Sequence, residues 1–395
     1  MPASTAPTAA DGAIIVSGQR PRGSVVSDIR PERTFSPLDI QAYGVSNVGE
    51  FLQALGPQVS SSRGGENGRP ITLLNGRRVS GFAEIAQIPI EAIETMEVFP
   101  EELALKYGYR PDQKVVNIIT FERFRSQIGE LAGSVATEGG YGSGRIQGSY
   151  FAIRGNTRLD AGAEYSRTSP LLESERDLVQ PAANRDAGNF RTLVPETERL
   201  TVNGLVSAAL IDNVSSTFNG RFELESSRSL LGRDENSPLE RDTHTRAAHL
   251  GTTFHGEAST WLWTATGSYD HLHTRIVTDL EEATLNRATS DSAYANANIL
   301  ITGSLLKLAA GAVAATIRGS VERRDFSSVS RGRGIDQRAD LSRDSGAVQA
   351  NFYAPIASRR AKGAATLGAL SVNANVELER LSDFGTLTAF GYGAN

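Results

Sequence analysis

The spacing of apolar and polar positions changes character near residue 126. Before that point it is mixed. Val48, Phe51, Leu52 and Leu55 fall at i, i+3, i+4 and i+7, which predicts a helix over 46–55 with one buried face. Ser46 stands where an N-cap hydroxyl takes a first-turn amide. Gly56-Pro57 stops the helix, with glycine in a left-handed C′ position and proline unable to continue. Ile71-Thr72-Leu73-Leu74 and Arg78-Val79 flank Asn75-Gly76, a pair that tolerates positive φ and so predicts a two-residue hairpin. Pro89 opens a short helical turn. Residues 95–99 and 115–120 read as strands, and the second is so nearly apolar that both its faces are expected to be buried. Residues 1–13 are small, polar and Pro-containing, and are expected to be a disordered tail.

From Gln127 the period is two. Leu159, Ala161, Ala163 and Tyr165 alternate with Arg158, Asp160, Gly162 and Glu164. Phe218, Gly220, Phe222 and Leu224 alternate with Asn219, Arg221, Glu223 and Glu225, and Leu370, Val372, Ala374, Val376 and Leu378 repeat the pattern near the end. Such strands have one apolar face. In a soluble sandwich it points to a dry core; in a membrane barrel it points to lipid and the polar face lines the lumen. About twelve strands are predicted, near 127–138, 141–153, 157–167, 199–211, 214–227, 243–256, 260–277, 291–302, 307–325, 341–353, 367–380 and 385–394. Long polar connections (168–198, 228–242, 278–290, 326–340) largely alternate with short ones at Gly155-Asn156, Asp212-Asn213, 256–259 and Leu305-Leu306. That asymmetry favours the barrel, although Gly139-Gly140 and 354–366 break it. Trp261, Trp263 and Tyr269 share one strand face, and at about 3.3 Å per residue and a tilt near 40° the first and last are roughly 20 Å apart along a membrane normal, the separation of two aromatic girdles. The other reading is a set of core aromatics in a sandwich.

Composition narrows the classes. A chain of 395 residues allows two domains or one large one. No run approaches the roughly 18–20 apolar residues of a membrane helix, so a helical membrane protein is excluded and a barrel is not. The net charge of −5 gives no nucleic-acid footprint. Zero cysteines leave no disulfide, thiolate metal site or thiol nucleophile. Residues 1–12 have neither the basic nor the apolar region of a secretory signal. His271 and His273 share a strand face but lack a third ligand nearby in sequence, so no metal site is predicted. Residues 139–148 are Gly-rich without a GxGxxG, and neither G-x-S-x-G nor H-E-x-x-H occurs. Glu101-Glu102 and Glu281-Glu282 read as solvated charges. No enzyme and no cofactor is expected.

Short motifs then fall in a telling order. Ile14-Ile15-Val16-Ser17-Gly18 is followed by Leu74-Asn75-Gly76-Arg77-Arg78-Val79, by Ile93-Glu94 with Glu97-Val98, by Tyr107-Gly108 and by Asn117-Ile118-Ile119. This order resembles the energy-coupling box and plug domain of TonB-dependent outer-membrane receptors, and the resemblance covers essentially the whole chain. It implies an α+β plug domain over 14–125, followed over 126–395 by part of an antiparallel membrane β-barrel, about 12 of an expected 22 strands. It implies the outer membrane of a Gram-negative bacterium, outer-membrane lipid around the barrel, and energised uptake of a scarce small ligand of the siderophore-iron, cobalamin or oligosaccharide class. Ile14, Ile15, Val16, Ser17 and Gly18 would pair as an added strand with the periplasmic TonB protein. Loops 61–69 and 80–84 would be plug apices, with Arg63, Glu66, Asn67, Arg69 and Phe82 facing the ligand; Arg63 and Arg69 suit an anionic one. Glu94 and Glu97 would pair with the barrel, or else be solvated strand charges. The chain departs from the family pattern at Tyr109-Arg110-Pro111-Asp112-Gln113-Lys114, where a Gly-rich approach is usual, and at 61–69, where an Arg-Gly strand is compressed.

Twelve strands make a barrel too narrow for a plug of about 110 residues, and an open sheet in lipid leaves edge groups unpaired at several kcal/mol each. The chain is therefore expected to be the N-terminal part of such a receptor and to transport nothing by itself. A passive twelve-stranded pore, an inactive fragment with a foldable plug and a soluble all-β binding protein are the alternatives.

Overall fold

The computed structural model describes residues 22–394 apart from 26, 28, 60–69, 108, 110–112, 179–186, 212, 235–236, 281–283, 333–334 and 358–369. Two sheets account for most of it. The first has five strands, β1 (Arg33–Phe35), β2 (Ile71–Leu74), β3 (Arg77–Arg78), β4 (Ile93–Phe99) and β5 (Val115–Thr120), in the order β1-β4-β5-β2-β3. The central β5 lies antiparallel to β4 and parallel to β2, and all its residues are buried. A strand covered on both faces has no use for alternation, which is why its sequence is Val-Val-Asn-Ile-Ile-Thr. The one amide in that run pins the neighbouring hairpin. Asn117 accepts from the Gly76 amide at 2.8 Å and donates to the Gly23 carbonyl at 2.9 Å. Asn75 and Gly76 take φ values of 50° and 74°, the two positive angles of a type I′ turn.

Four short helices close over this sheet. Helix α1 (Pro37–Gln41) and strand β1 lie in a stretch where the sequence pattern predicts nothing; Ser36 and Asp39 form a reciprocal capping box around α1. Helix α2 (Val48–Ala54) is the predicted amphipathic one, and Val48, Phe51 and Leu55 are fully buried. Its cap is Asn47, not Ser46. The Asn47 side chain accepts from the Glu50 amide at 2.9 Å, while the Glu50 carboxylate accepts the Ser46 amide at 2.8 Å. Gly56 does not end the segment in a left-handed turn; it opens α3 (Gly56–Val59), with Pro57 in the first turn, where the missing N–H costs nothing. Helix α4 (Glu102–Lys106) follows β4, and Glu101 beside it is buried, not solvated. Phe51 meets Phe35 and Tyr43 edge-to-face at 5.9 and 5.1 Å. The 3-10 turn after Pro89 covers Ile90–Ala92, as expected.

The second sheet starts at Arg123. It has twelve antiparallel strands, each paired to the next: β6 (Arg123–Val135), β7 (Gly142–Arg154), β8 (Thr157–Thr168), β11 (Glu196–Ile211), β12 (Val214–Arg233), β13 (Pro238–Ala258), β14 (Trp261–Leu280), β15 (Thr284–Leu308), β16 (Gly311–Gly332), β17 (Ile335–Ala357), β18 (Leu370–Leu381) and β19 (Gly385–Ala394). Between β8 and β11 a small ribbon forms from β9 (Leu171–Leu172) and β10 (Thr192–Val194). Strands β6 and β19 do not pair with each other, so the sheet is open.

One face of this sheet turns to the plug. Phe151 and Ile153 are buried in the same core as Phe51 and Ile118, and Phe124 packs against it. The opposite face carries rows such as Ile146-Tyr165-Leu200-Leu224 and Ile301-Ile317-Ala350-Val376, each neighbour directly across the ladder. Val321, Val348 and Leu250 on this face are all exposed. No second sheet covers it among the described residues, where a sandwich would place one. At the end with short turns, Trp263 lies over Gly256 and Trp261 over Gly303, its cross-strand partners; a Cβ at either glycine would fall within the indole.

The long polar connections are a correction. Residues 228–242, 278–290 and 326–340 are mostly strand: β12 runs to Arg233, β14 to Leu280 and β16 to Gly332. Once the apolar face ends, cross-strand pairs such as Arg228 and Asp242 at 2.9 Å keep the ladder formed with polar residues on both sides. The turn expected at Leu305-Leu306 falls instead at 309–310. Leu305 is an extra residue in β15, where the register shifts between Ser304 and Leu306.

Candidate functional site

The contact between plug and wall centres on Glu84. It ends a 3-10 turn (Phe82–Glu84) in the loop that follows the Asn75-Gly76 hairpin, and it is 5% exposed. Its carboxylate accepts from the amide and hydroxyl of Ser80 at 2.8 and 3.0 Å, which folds the loop back on itself. The wall supplies the rest. Arg158 on β8 brings a guanidinium to 3.4 Å from the carboxylate and to 3.2 Å from the Glu84 carbonyl. Thr253 on β13 donates to the carboxylate at 3.1 Å. Arg158 and Thr253 occupy polar-face positions of their strands, 6% and 0% exposed.

From Ser80 a chain of polar contacts climbs the inner wall. Asn219 on β12 donates to the Ser80 hydroxyl at 2.9 Å. The Asn219 carbonyl oxygen is 3.1 Å from His249 Nε2, and His249 Nδ1 is 2.7 Å from Asp270. His249 and Asp270 line an open hollow of about 380 Å³ together with Arg221, Glu223, Leu272 and Ser292. Arg221 and Glu223 are themselves paired at 2.7 Å. A ligand seated in this hollow would touch residues joined by hydrogen bonds to the plug loop. A second plug–wall contact lies lower, where Arg77 donates to Ser215 at 3.1 Å.

The residues singled out by sequence distribute unevenly. Ile14, Ile15, Val16, Ser17 and Gly18 lie outside the described residues, as do Arg63, Glu66, Asn67 and Arg69. Phe82 is half exposed, two residues from the buried Glu84, so one loop offers an open tip on a locked base. Glu94 stands 3.8 Å from Arg22, and Glu97 accepts from Asn117 at 3.0 Å. Those partners belong to the plug side; a carboxylate that does reach the wall is Glu84. Sequence reasoning passed over Glu84 and Arg158. The only local trace was Arg158-Leu159-Asp160, two charges at the closed, short-turn end of an otherwise simple strand. His271 and His273 both approach Asp291, at 3.8 and 2.7 Å, yet no three metal-binding side chains among the described residues form a metal-holding group.

No protein-family model and no curated protein matches this chain by sequence. Solved structures do match by fold. A mutant of the ferric enterobactin receptor from Pseudomonas aeruginosa, in complex with enterobactin, is 13% identical with a TM-score of 0.53, over 91% of this chain and 59% of that one. The siderophore receptor PirA from the same organism is 14% identical with a TM-score of 0.50, over 92% and 58%. The RagAB peptide importer is 9% identical with a TM-score of 0.56, over 94% and 56%. The chain spans somewhat under three fifths of the length of these three structures. It has the fold of TonB-dependent outer-membrane receptors: an α+β plug against a partial, open β-barrel.

Proposed function

We propose that this chain is the plug-bearing part of a TonB-dependent receptor that takes up a scarce small ligand across the outer membrane of a Gram-negative bacterium, without covalent chemistry. The observation that carries the reading is the buried Glu84–Arg158 contact. It ties a plug loop to the wall at one end of a hydrogen-bonded route whose other end opens into the inner hollow. Ligand would bind the exposed tip of that loop at Phe82, the residues Arg63, Glu66, Asn67 and Arg69, and the hollow. Ile14, Ile15, Val16, Ser17 and Gly18 would form the strand that TonB pulls. Matches that bind enterobactin or import peptides favour a ligand of siderophore or peptide size. The barrel's outward apolar face would meet outer-membrane lipid.

The absence of cysteine makes a direct test simple. Ile15→Cys in cells carrying TonB with single cysteines in its periplasmic domain introduces the only thiol of the chain. A disulfide-linked adduct that increases when ligand is added is the expected result. No adduct at any TonB position, from a chain present in the outer-membrane fraction, refutes the box. A chain found soluble and monodisperse refutes the receptor reading as a whole.

A further inference from the structure

We propose that the outward face of β13 and β14, just beyond the apolar band, binds the phosphate of a membrane-lipid headgroup through Arg246 and Arg275. The proposal rests on the reading that this face meets lipid. Register places the residues. Leu250 pairs across the ladder with Tyr269, Ala248 with His271, Arg246 with His273, and His244 with Arg275, all on the face away from the plug. Tyr269, where the apolar rows end, stacks on His271 with the rings 6° from parallel and 6.4 Å apart. Above it Arg246 and Arg275 occupy diagonal positions on neighbouring strands, His244 and His273 fill the other two corners, and His271 lies one step below, opposite Ala248. Arg246, Arg275 and His244 are exposed.

Like charges gathered on one face of a ladder work against it, and several other outward arginines of this sheet are answered by an acid. Arg167, Arg228, Arg323 and Arg338, also on the outward face, stand 2.8, 2.9, 2.8 and 2.7 Å from Glu196, Asp242, Asp325 and Asp340. Arg246 and Arg275 have no carboxylate within 4 Å among the described residues. Two acids lie diagonal to Arg275 on this face, and both are taken, Asp291 by His273 at 2.7 Å and Asp242 by Arg228 at 2.9 Å. The patch therefore lacks an anion, and its height says which. Counting from Trp263 at the short-turn end to His273, the rise along the normal is about 25 Å, the height of a barrel's apolar band. That is where lipid phosphates lie. Guanidiniums bind phosphate oxygens in paired hydrogen bonds, and the imidazoles add N–H donors around them.

The full chain is reconstituted into phosphatidylcholine vesicles with and without a minority of phosphatidic acid. Flotation reports insertion, and mass spectrometry counts the lipids retained after detergent extraction. The expected result is flotation with both vesicles and a retention of phosphatidic acid over phosphatidylcholine on the order of tenfold, the scale of two arginines beside an anionic headgroup. Arg246→Gln/Arg275→Gln should float equally and lose the preference. Arg246→Lys/Arg275→Lys should keep most of it, as should Arg167→Gln/Glu196→Gln, which removes an ion pair elsewhere. Flotation without preference in the wild-type chain overturns the phosphate site and leaves the lipid-facing reading intact. Displacement of phosphatidic acid by millimolar inorganic phosphate in the wild type, with equal retention of both lipids afterwards, overturns the commitment to a lipid headgroup. Failure to float with either vesicle overturns both.

Discussion

β5 of the plug and β16 of the wall are both strands with abundant apolar residues, and they use them in opposite ways. In β5 every side chain is buried, Val116 and Ile118 at 0% exposure. In β16 Val321 is 60% exposed and Ile317 43%, while the polar side holds Thr316 at 5%. The plug buries its apolar surface among protein atoms in the ordinary way. The wall turns its apolar surface outward and keeps its hydrogen-bonding side chains for the interior. The lesson is that alternation specifies a two-faced strand but not which face is inside; the plug, by occupying one side, decides it. Where the two regions meet, the plug contributes a charge to the polar side of the wall, and the wall contributes Phe151 and Ile153 to the apolar core of the plug.

The largest effect should come from that seam. Glu84→Ala removes one member of a buried pair and leaves the Arg158 guanidinium with the carbonyl of residue 84 and the more distant charge of Asp160, a loss of about 3–5 kcal/mol on the scale of broken buried pairs. Loosening of the plug should appear as new proteolytic cleavage in residues 70–120 while the wall stays protected. Pairing Glu84→Ala with Arg158→Leu should recover part of the loss. If Glu84→Ala leaves the proteolytic pattern unchanged, the seam is held by its apolar contacts.

Next come two substitutions that set the regions against each other. Ile118→Ala, in the middle of the plug sheet, should cost about 2–5 kcal/mol by denaturation in detergent, because the cavity cannot be filled by solvent. Val321→Ala, on the outward face, should cost little there. Val321→Arg reverses the order of interest: nearly silent where detergent or water can reach the side chain, it should cost about 2–4 kcal/mol when refolding is measured in vesicles, as for a cation near the bilayer midplane. Equal costs in both media would mean that this face is not lipid-facing.

How far the sequence carried is clear from particular elements. The I′ hairpin was legible because Asn75-Gly76 is a local signal. The strands of the wall were legible because alternation is local too, and the short turn at Gly155-Asn156 stands where expected. Helix α1 was readable in principle from Ser36-Pro37-Leu38-Asp39, but its apolar face is a single buried residue, Ile40, too little for a periodic signal. The polar ends of the long hairpins were misread as loops because the residues there no longer alternate in hydrophobicity, while the backbone ladder continues regardless. The seam was illegible for a different reason. Glu84 sits in Ser-Gly-Phe-Ala-Glu, an ordinary loop by composition, and its burial is created by residues 74 and 169 positions away.

Smaller still is the cap on α2. Asn47→Ala should lower plug stability by about 1 kcal/mol, whereas Ser46→Ala should do almost nothing, because Ser46 contributes its backbone amide and not its hydroxyl. The two substitutions, compared by thermal unfolding, separate the cap the structure shows from the one its neighbour suggested.

The smallest effect expected lies on the solvent side of the plug, at the capping box of α1. Hydrogen bonds from the Ser36 hydroxyl and amide hold the Asp39 carboxyl below the ordinary carboxylate value. A carboxylate whose folded pKa is depressed contributes its stability above the unfolded value and loses it as pH falls through the folded one. The α1 turn should therefore be unaffected from neutral pH down to about pH 4 and should loosen below that, with the loss still growing beneath 3.8, the value of the unperturbed group. The wall offers the control, since Asp383 is held low in the same direction by Arg343 in a turn far from the plug. Amide exchange of residues 36–41 at pH 5 and pH 3, corrected for the intrinsic rate, should separate in the wild type and coincide in Asp39→Asn, which cannot titrate. Equal protection of the wild type at both values would show that Pro37 and the buried Ile40 hold the turn without the carboxylate.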